Sequence, residues 1–184
     1  MDNLNVMITE DEIQEKVAEL AKQIDKDYEG KEPVIISVLN GAVFFTTDLL
    51  KKMKTPVELQ FVQVSSYKGT ESTGEIKMKK DLDISIKGRD VLIVEDIIDT
   101  GHTLKSLKSY LLSKNPASLK IACLNDKKAR RQVDMEADYV VFNIEDKFVV
   151  GYGLDYNDKY RNLPYIGYFE RIPELEQEDD RDER

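Results

Sequence analysis

Arg89-Asp90-Val91-Leu92-Ile93-Val94-Glu95-Asp96-Ile97-Ile98-Asp99-Thr100-Gly101-His102-Thr103-Leu104 is the stretch whose reading decides the fold. Val91 to Val94 is an unbroken apolar run rich in β-branched residues, which predicts a central parallel strand buried on both faces. Glu95 and Asp96 follow it. A turn through Asp99, Thr100, Gly101 and Thr103 then opens a helical pattern. In open α/β sheets, ligands bind in the crevice beyond the carboxyl ends of the strands. A glycine-containing turn that opens a helix offers free N–H groups and the positive end of a dipole, which suits a phosphate. Carboxylates repel phosphate; they suit sugar hydroxyls or a magnesium ion. The stretch therefore points to a ligand with hydroxyls at one end and a phosphate at the other, such as a ribose 5-phosphate.

The chain on either side fits one α/β layer system. Thr9-Glu10-Asp11-Glu12 reads as a capping box, and Ile13, Val17, Leu20 and Ile24 follow at helical spacing to about Tyr28, with Gly30 as the stop. Val34 to Leu39 predicts a strand, closed by Asn40-Gly41, then a helix to about Met53 and a strand over 57–65. Residues 66–80 carry Ser, Thr, Gly and Lys with few apolar residues. They predict a long mobile loop or ribbon, either a binding lid or a solvated hairpin. After the helix at about 103–113 come apolar runs over 119–124, 139–144, 148–150 and 165–169. Strands alternating with helices predict a doubly wound, mainly parallel sheet flanked by helices.

Length and charge narrow the possibilities. A chain of 184 residues fits one domain with a sizeable core. Of the net charge of −9, −5 falls on residues 174–184 and −4 on the rest. Such a body lacks the clustered cations of a nucleic-acid-binding face, and the acidic tail over 173–184 is expected to be a solvated end. One cysteine, Cys123, allows no internal disulfide and sits in an apolar run, as a buried structural thiol would. No targeting or membrane-spanning segment is evident, so a cytoplasmic protein is expected. Neither G-x-x-x-x-G-K-[ST] nor G-x-G-x-x-G occurs, and a single histidine, His102, supplies neither a histidine-based zinc site nor a Ser-His-Asp triad.

Val91 to Leu104 resembles the ribose-phosphate motif of the type I phosphoribosyltransferases. The wider match is closest to the bacterial hypoxanthine-guanine enzymes of that family. It rests on Val38-Leu-Asn-Gly-Ala-Val-Phe-Phe45, Val64-Ser-Ser-Tyr67, Phe148-Val-Val-Gly-Tyr-Gly-Leu-Asp-Tyr156 and Lys159-Tyr-Arg-Asn-Leu-Pro164, in the family's order over roughly residues 7 to 170. The resemblance implies a type I phosphoribosyltransferase fold. It would be a single domain over 1–172, with a small hood built from the chain termini, roughly 1–12 and 145–172. It also implies transfer of a 5-phosphoribosyl group from phosphoribosyl pyrophosphate to a 6-oxopurine, with Mg2+, in a homo-oligomer.

The residue roles follow from the same resemblance. Glu95 and Asp96 would hold the ribose hydroxyls, directly or through magnesium, with Asp155 as a further metal ligand. Asp99, Thr100, Gly101, His102 and Thr103 would cradle the 5-phosphate, and Asp99 would be the general base at purine N7. Leu39, Asn40 and Gly41 would meet pyrophosphate together with Arg161, and Ser66 and Tyr67 would close over it. Lys127 would reach purine O6, Phe148 would stack on the ring, and carbonyls near Val149 and Asp155 would accept from a 2-amino group. The family commonly has Leu-Lys-Gly where this chain has Leu39-Asn40-Gly41. Two rivals differ in kind. A receiver-like signalling domain would carry its acid pair near its start, whereas about half of this chain precedes Glu95. A non-catalytic phosphoribosyl-binding regulator of nucleic acid would need a basic surface.

Overall fold

The structure, a computed structural model, describes residues 3–66 and 75–172. Tyr67 and the acidic tail expected over 173–184 lie outside the described residues. Twelve elements are used below. They are β1 (Leu4–Ile8), α1 (Glu10–Asp27), β2 (Val34–Leu39), α2 (Val43–Lys52), β3 (Glu58–Ser66), β4 (Ile76–Lys80), β5 (Asp90–Ile98), α3 (His102–Leu112), β6 (Ser118–Asp126), β7 (Tyr139–Asn143), β8 (Val149–Val150) and β9 (Ile166–Phe169).

The main sheet has six strands in the order β4-β3-β2-β5-β6-β7, all parallel except β4, which runs antiparallel to β3. Its centre is the apolar run of β5, where Val91, Leu92, Ile93 and Val94 are fully buried. Burying each such side chain stabilises the fold by about 1.5–3 kcal/mol before chain entropy is counted. Alternate residues face opposite layers. Leu92 and Val94 join Ile35 against Ile13, Val17, Phe45 and Leu49 of α1 and α2. Val91 and Ile93 join Ile36 and Val38 against Leu104, Leu107 and Leu111 of α3. Helices on both faces make this the expected doubly wound architecture.

The local signals carry through. At the start of α1, Glu12 N donates to Thr9 Oγ1 (3.2 Å) and Thr9 N to Glu12 Oε2 (3.0 Å), which is the capping box. Gly30, two residues past the cap at Tyr28, sits at φ 75°, where a side chain is disfavoured. The described part of residues 66–80 is ribbon, since β4 pairs with the end of β3.

Two features depart from the sequence reading. β5 runs to Ile98, four residues beyond its apolar core, because its ladder with β6 continues through Glu95↔Cys123, Ile97↔Asn125 and Ile98↔Asp126. Backbone pairing, not side-chain hydrophobicity, sets that end. Residues Leu4–Ile8 form a strand that the sequence reading did not include. It pairs antiparallel with β9, which pairs with β8, giving a second sheet in the order β1-β9-β8. Tyr152, just after β8, donates to Asp48 of α2 (2.5 Å), and Gln14 of α1 donates to the same carboxylate (2.9 Å). This small sheet is thereby tied to the helices beside the carboxyl edge of the main one.

Candidate active site

Four backbone segments meet at the carboxyl edge of β2 and β5. Gly41 follows β2 with its Cα against the Asp96 carboxylate, and a Cβ there would lie 1.7 Å from Asp96 Oδ2. Gly153, at φ 99°, approaches from the other side, and a Cβ on it would lie 2.0 Å from Gly41 O. Only glycine allows this column of backbone, carboxylate and backbone. The Leu39–Asn40 peptide leading into it is cis. Arg161 flanks the column. It donates to Gly153 O (2.7 Å), and its second terminal nitrogen is 3.3 Å from Asp155 Oδ1 and 3.5 Å from Asp158 Oδ1.

Glu95 and Asp96 stand adjacent here, with Glu95 Oε1 accepting from Asp96 N (2.9 Å) and Asn125 Nδ2 donating to Asp96 O (3.3 Å). Burial, reinforced by the neighbouring Asp96 charge, pushes the Glu95 carboxyl well above the usual carboxylate range. Burial also raises Asp96, partly offset by its hydrogen bond with Glu95 and by the Arg161 charge. Two desolvated carboxyls side by side are poised for a cation or for hydroxyl donors, either of which would relieve their repulsion.

Beyond Ile98 the chain turns through Asp99 and Thr100 to Gly101, which caps α3 at φ 90°. No side chain caps this helix and its first turn carries no acid, so its leading N–H groups receive no anion from the helix itself. Ser66, at the tip of β3, reaches the same turn, its Oγ 3.3 Å from Thr103 Oγ1. His102 Nε2 is 3.1 Å from Gln132 Oε1. Asp99 is half-exposed and its Oδ1 accepts from Arg130 Nε (3.0 Å).

Lys127 follows β6 and is buried at 7 % exposure, and its N–H donates to Ile98 O (3.0 Å). Ile144 N donates to Asp126 O (3.0 Å), which ties the approach to Phe148 to the strand end that carries Lys127. The exposed Phe148 ring stands edge-on to Tyr156, centroids 5.5 Å apart at 90°, beside Phe169. Val149 is buried in β8.

Glu95, Asp96, Asp99 and the Thr100–Thr103 turn are thus brought to one strand end, with Gly41, Ser66 and Arg161 around it. Asp155 is engaged by Arg161 and by Asp158 N (2.9 Å). Among the described residues no three carboxylate, histidine or cysteine groups converge closely enough to hold a metal alone. That donor set suits Mg2+ bound through one or two carboxylates and completed by substrate oxygens and water, and it does not suit an all-protein metal cage. Sequence reasoning missed Gly153, Arg130, Arg131 and Gln132. The run of four cations in residues 127–131 was the available signal.

Residues 9–157 match the family described as the phosphoribosyl transferase domain. Over 167 residues the chain is 52% identical to the hypoxanthine-guanine phosphoribosyltransferase of Staphylococcus aureus, covering 90% of this chain and 93% of that protein. The chain belongs to the hypoxanthine-guanine phosphoribosyltransferase family. Its fold is that of the type I phosphoribosyltransferases. A crystal structure of a hypoxanthine phosphoribosyltransferase from Staphylococcus aureus superposes with a TM-score of 0.88 at 51% identity, covering 91% of this chain and 92% of that one. The bifunctional protein TilS/HprT of Listeria monocytogenes is 52% identical over 90% of this chain, which spans 26% of that longer relative. No helix among the described residues is long and apolar enough to cross a membrane.

Proposed function

We propose that this phosphoribosyltransferase works in purine salvage. It takes the 5-phosphoribosyl group from phosphoribosyl pyrophosphate to hypoxanthine or guanine, giving IMP or GMP and pyrophosphate. The observation that carries the reading is that two partly buried carboxyls, Glu95 and Asp96, lie on the strand end that leads into the acid-free, uncapped N-terminus of α3. Hydroxyls fit the first and a 5-phosphate fits the second.

In the reaction the C1–pyrophosphate bond breaks as purine N9 bonds to C1, and the purine loses its N7 proton. Positive charge develops on the sugar and negative charge on the leaving group, so groups aimed at both lower the barrier. Glu95 and Asp96 face the sugar. Gly41, with its N–H, and the Arg161 guanidinium border the side where pyrophosphate leaves. Mg2+, carried by the Glu95–Asp96 pair with Asp155 nearby, would neutralise pyrophosphate charge. Asp99 accepts the N7 proton or hydrogen-bonds to it. The buried Lys127 ammonium has donors only, so it matches a 6-oxo group and opposes the 6-amino group of adenine. Phe148 stacks on the base, and Ser66 closes over pyrophosphate. By family resemblance the protein acts as a homo-oligomer, a dimer or tetramer, in the cytoplasm, and light scattering measures the first of these.

The experiment is an incubation with phosphoribosyl pyrophosphate, Mg2+ and each purine in turn. IMP and GMP are expected from hypoxanthine and guanine, with adenine refused. Absence of a nucleotide from every purine would favour a phosphoribosyl-binding protein without catalysis. Equal use of adenine would remove the role given to Lys127.

A further inference from the structure

The residues after Lys127 fold back over the phosphate turn as a strap. Arg131 is its centre, with its side chain only 13% exposed. Its three guanidinium nitrogens serve three acceptors: Nη1 donates to Met135 O, Nη2 to Asp126 Oδ1, and Nε to Asp99 O at 3.3 Å. Asp126, at the end of β6, is fully buried, and its other oxygen, Oδ2, has no hydrogen-bond partner among the described residues. The next residue extends the strap, since Gln132 N donates to Thr100 O at 3.0 Å. Arg131 also packs on the turn, where a Cβ on Gly101 would lie 3.0 Å from Arg131 Cδ.

We infer that Arg131, anchored on Asp126, is a positioning residue that sets the peptide planes of the phosphate turn. This rests on the transferase reading above. A peptide unit is planar, so in a trans unit the N–H points opposite to the C=O that precedes it. Holding Asp99 O on Arg131 turns the Thr100 N–H away from the strap. Holding Thr100 O on Gln132 N does the same for the Gly101 N–H. Both donors then face the side on which α3 presents its own leading N–H groups. The anion cradle is built by gripping its carbonyls from behind. Only a guanidinium has donors spread in one plane widely enough for a carboxylate, a turn carbonyl and a third carbonyl at once. A buried ion pair is by itself weak evidence of stabilisation, whereas its directed contact with Asp99 O is specific to the turn.

The test compares titrations of IMP and inosine, which differ by the 5-phosphate, into the wild type, Arg131→Lys, and the double variant Asp126→Leu/Arg131→Met. The lysine keeps a cation opposite Asp126 but cannot serve three acceptors. The double variant removes the buried charges together and keeps an apolar volume, so it retains the fold without the contact to Asp99 O. In both, IMP affinity is expected to fall about tenfold or more, the scale of a lost set of charge-assisted contacts. Inosine affinity is expected to stay within about twofold. A residue that merely stabilised the fold would lower the melting temperature and leave this difference unmoved. IMP affinity held within twofold in either folded variant, or an equal loss for IMP and inosine, would overturn the role of Arg131. A wild type that makes no nucleotide contradicts the transferase reading itself, and the two failures are told apart by the wild-type assay.

Discussion

The helices of this chain begin in two different ways. At α1 the chain supplies its own anions: Thr9 and Glu12 cap each other, and Glu10, Asp11 and Glu12 fill the first turn. At α3 it supplies none, with Gly101 in the capping position and His102 and Thr103 following, and α2 likewise starts from Ala42 without a side-chain cap or an acid. The dipole and the unpaired N–H groups are the same at every helix start. A start that is neutralised from within serves the fold. The acid-free starts of α2 and α3 lie at the carboxyl edge of β2 and β5, where the proposed anionic substrate would complete them.

Several substitutions break or sharpen this contrast. The largest effect is expected from Gly41→Ala, because the added Cβ would overlap the Asp96 carboxylate at the entry to α2. Either the carboxylate or the loop must move, and turnover should fall about a hundredfold or more, as for other misplacements near reacting groups; wild-type turnover would refute the tight column. His102→Glu would give α3 the acid that Glu10 gives α1. Calorimetry should then show IMP binding about tenfold weaker while the melting temperature holds or rises, since a carboxylate there favours the helix by about 0.3–1 kcal/mol. Unchanged IMP affinity would mean the phosphate does not sit on that helix end.

The acids at the end of β5 are partly buried, whereas those in the first turn of α1 are exposed. Glu95 is raised, so its folded value lies above its unfolded one. The stability contributed by its proton is present at low pH and lost as pH rises through the raised value. Without Mg2+ or substrate, the melting advantage of Glu95→Gln over wild type should therefore grow as pH rises above the ordinary carboxylate range. A difference flat with pH would show that the pair costs the empty protein nothing. The smallest functional effect belongs to Thr9→Ala. Loss of that cap should cost about 1 kcal/mol of stability, a shift of about 2–4 °C in Tm, with kcat and KM unchanged.

The fold was legible wherever hydrophobicity and local capping decide it. The burial of Val91 to Val94, the α1 capping box and the alternation of strands and helices all follow from short-range pattern. The continuation of β5 through Glu95 and Asp96 was not legible, because it depends on ladder partners in β6 about thirty residues away. β1 escaped for the same reason, being a five-residue, half-exposed segment whose pairing partner is β9. In the site, the strand-end acids and the glycine turn announced themselves by residue type and position. Gly153 and Arg131 did not, since a glycine among several and a second consecutive arginine carry no sign of what they touch across the fold.

The pairing of β1 with β9 has a consequence for the order in which the molecule is made. Leu4–Ile8 is synthesised about 160 residues before its hydrogen-bonding partner, Ile166–Phe169. The six-stranded layer is complete in the nascent chain once β7 has been added. The small sheet beside Phe148 must wait for β9. During synthesis at about 5–20 residues per second, the chain therefore completes the strand end proposed for the phosphate seconds before the small sheet proposed to flank the base.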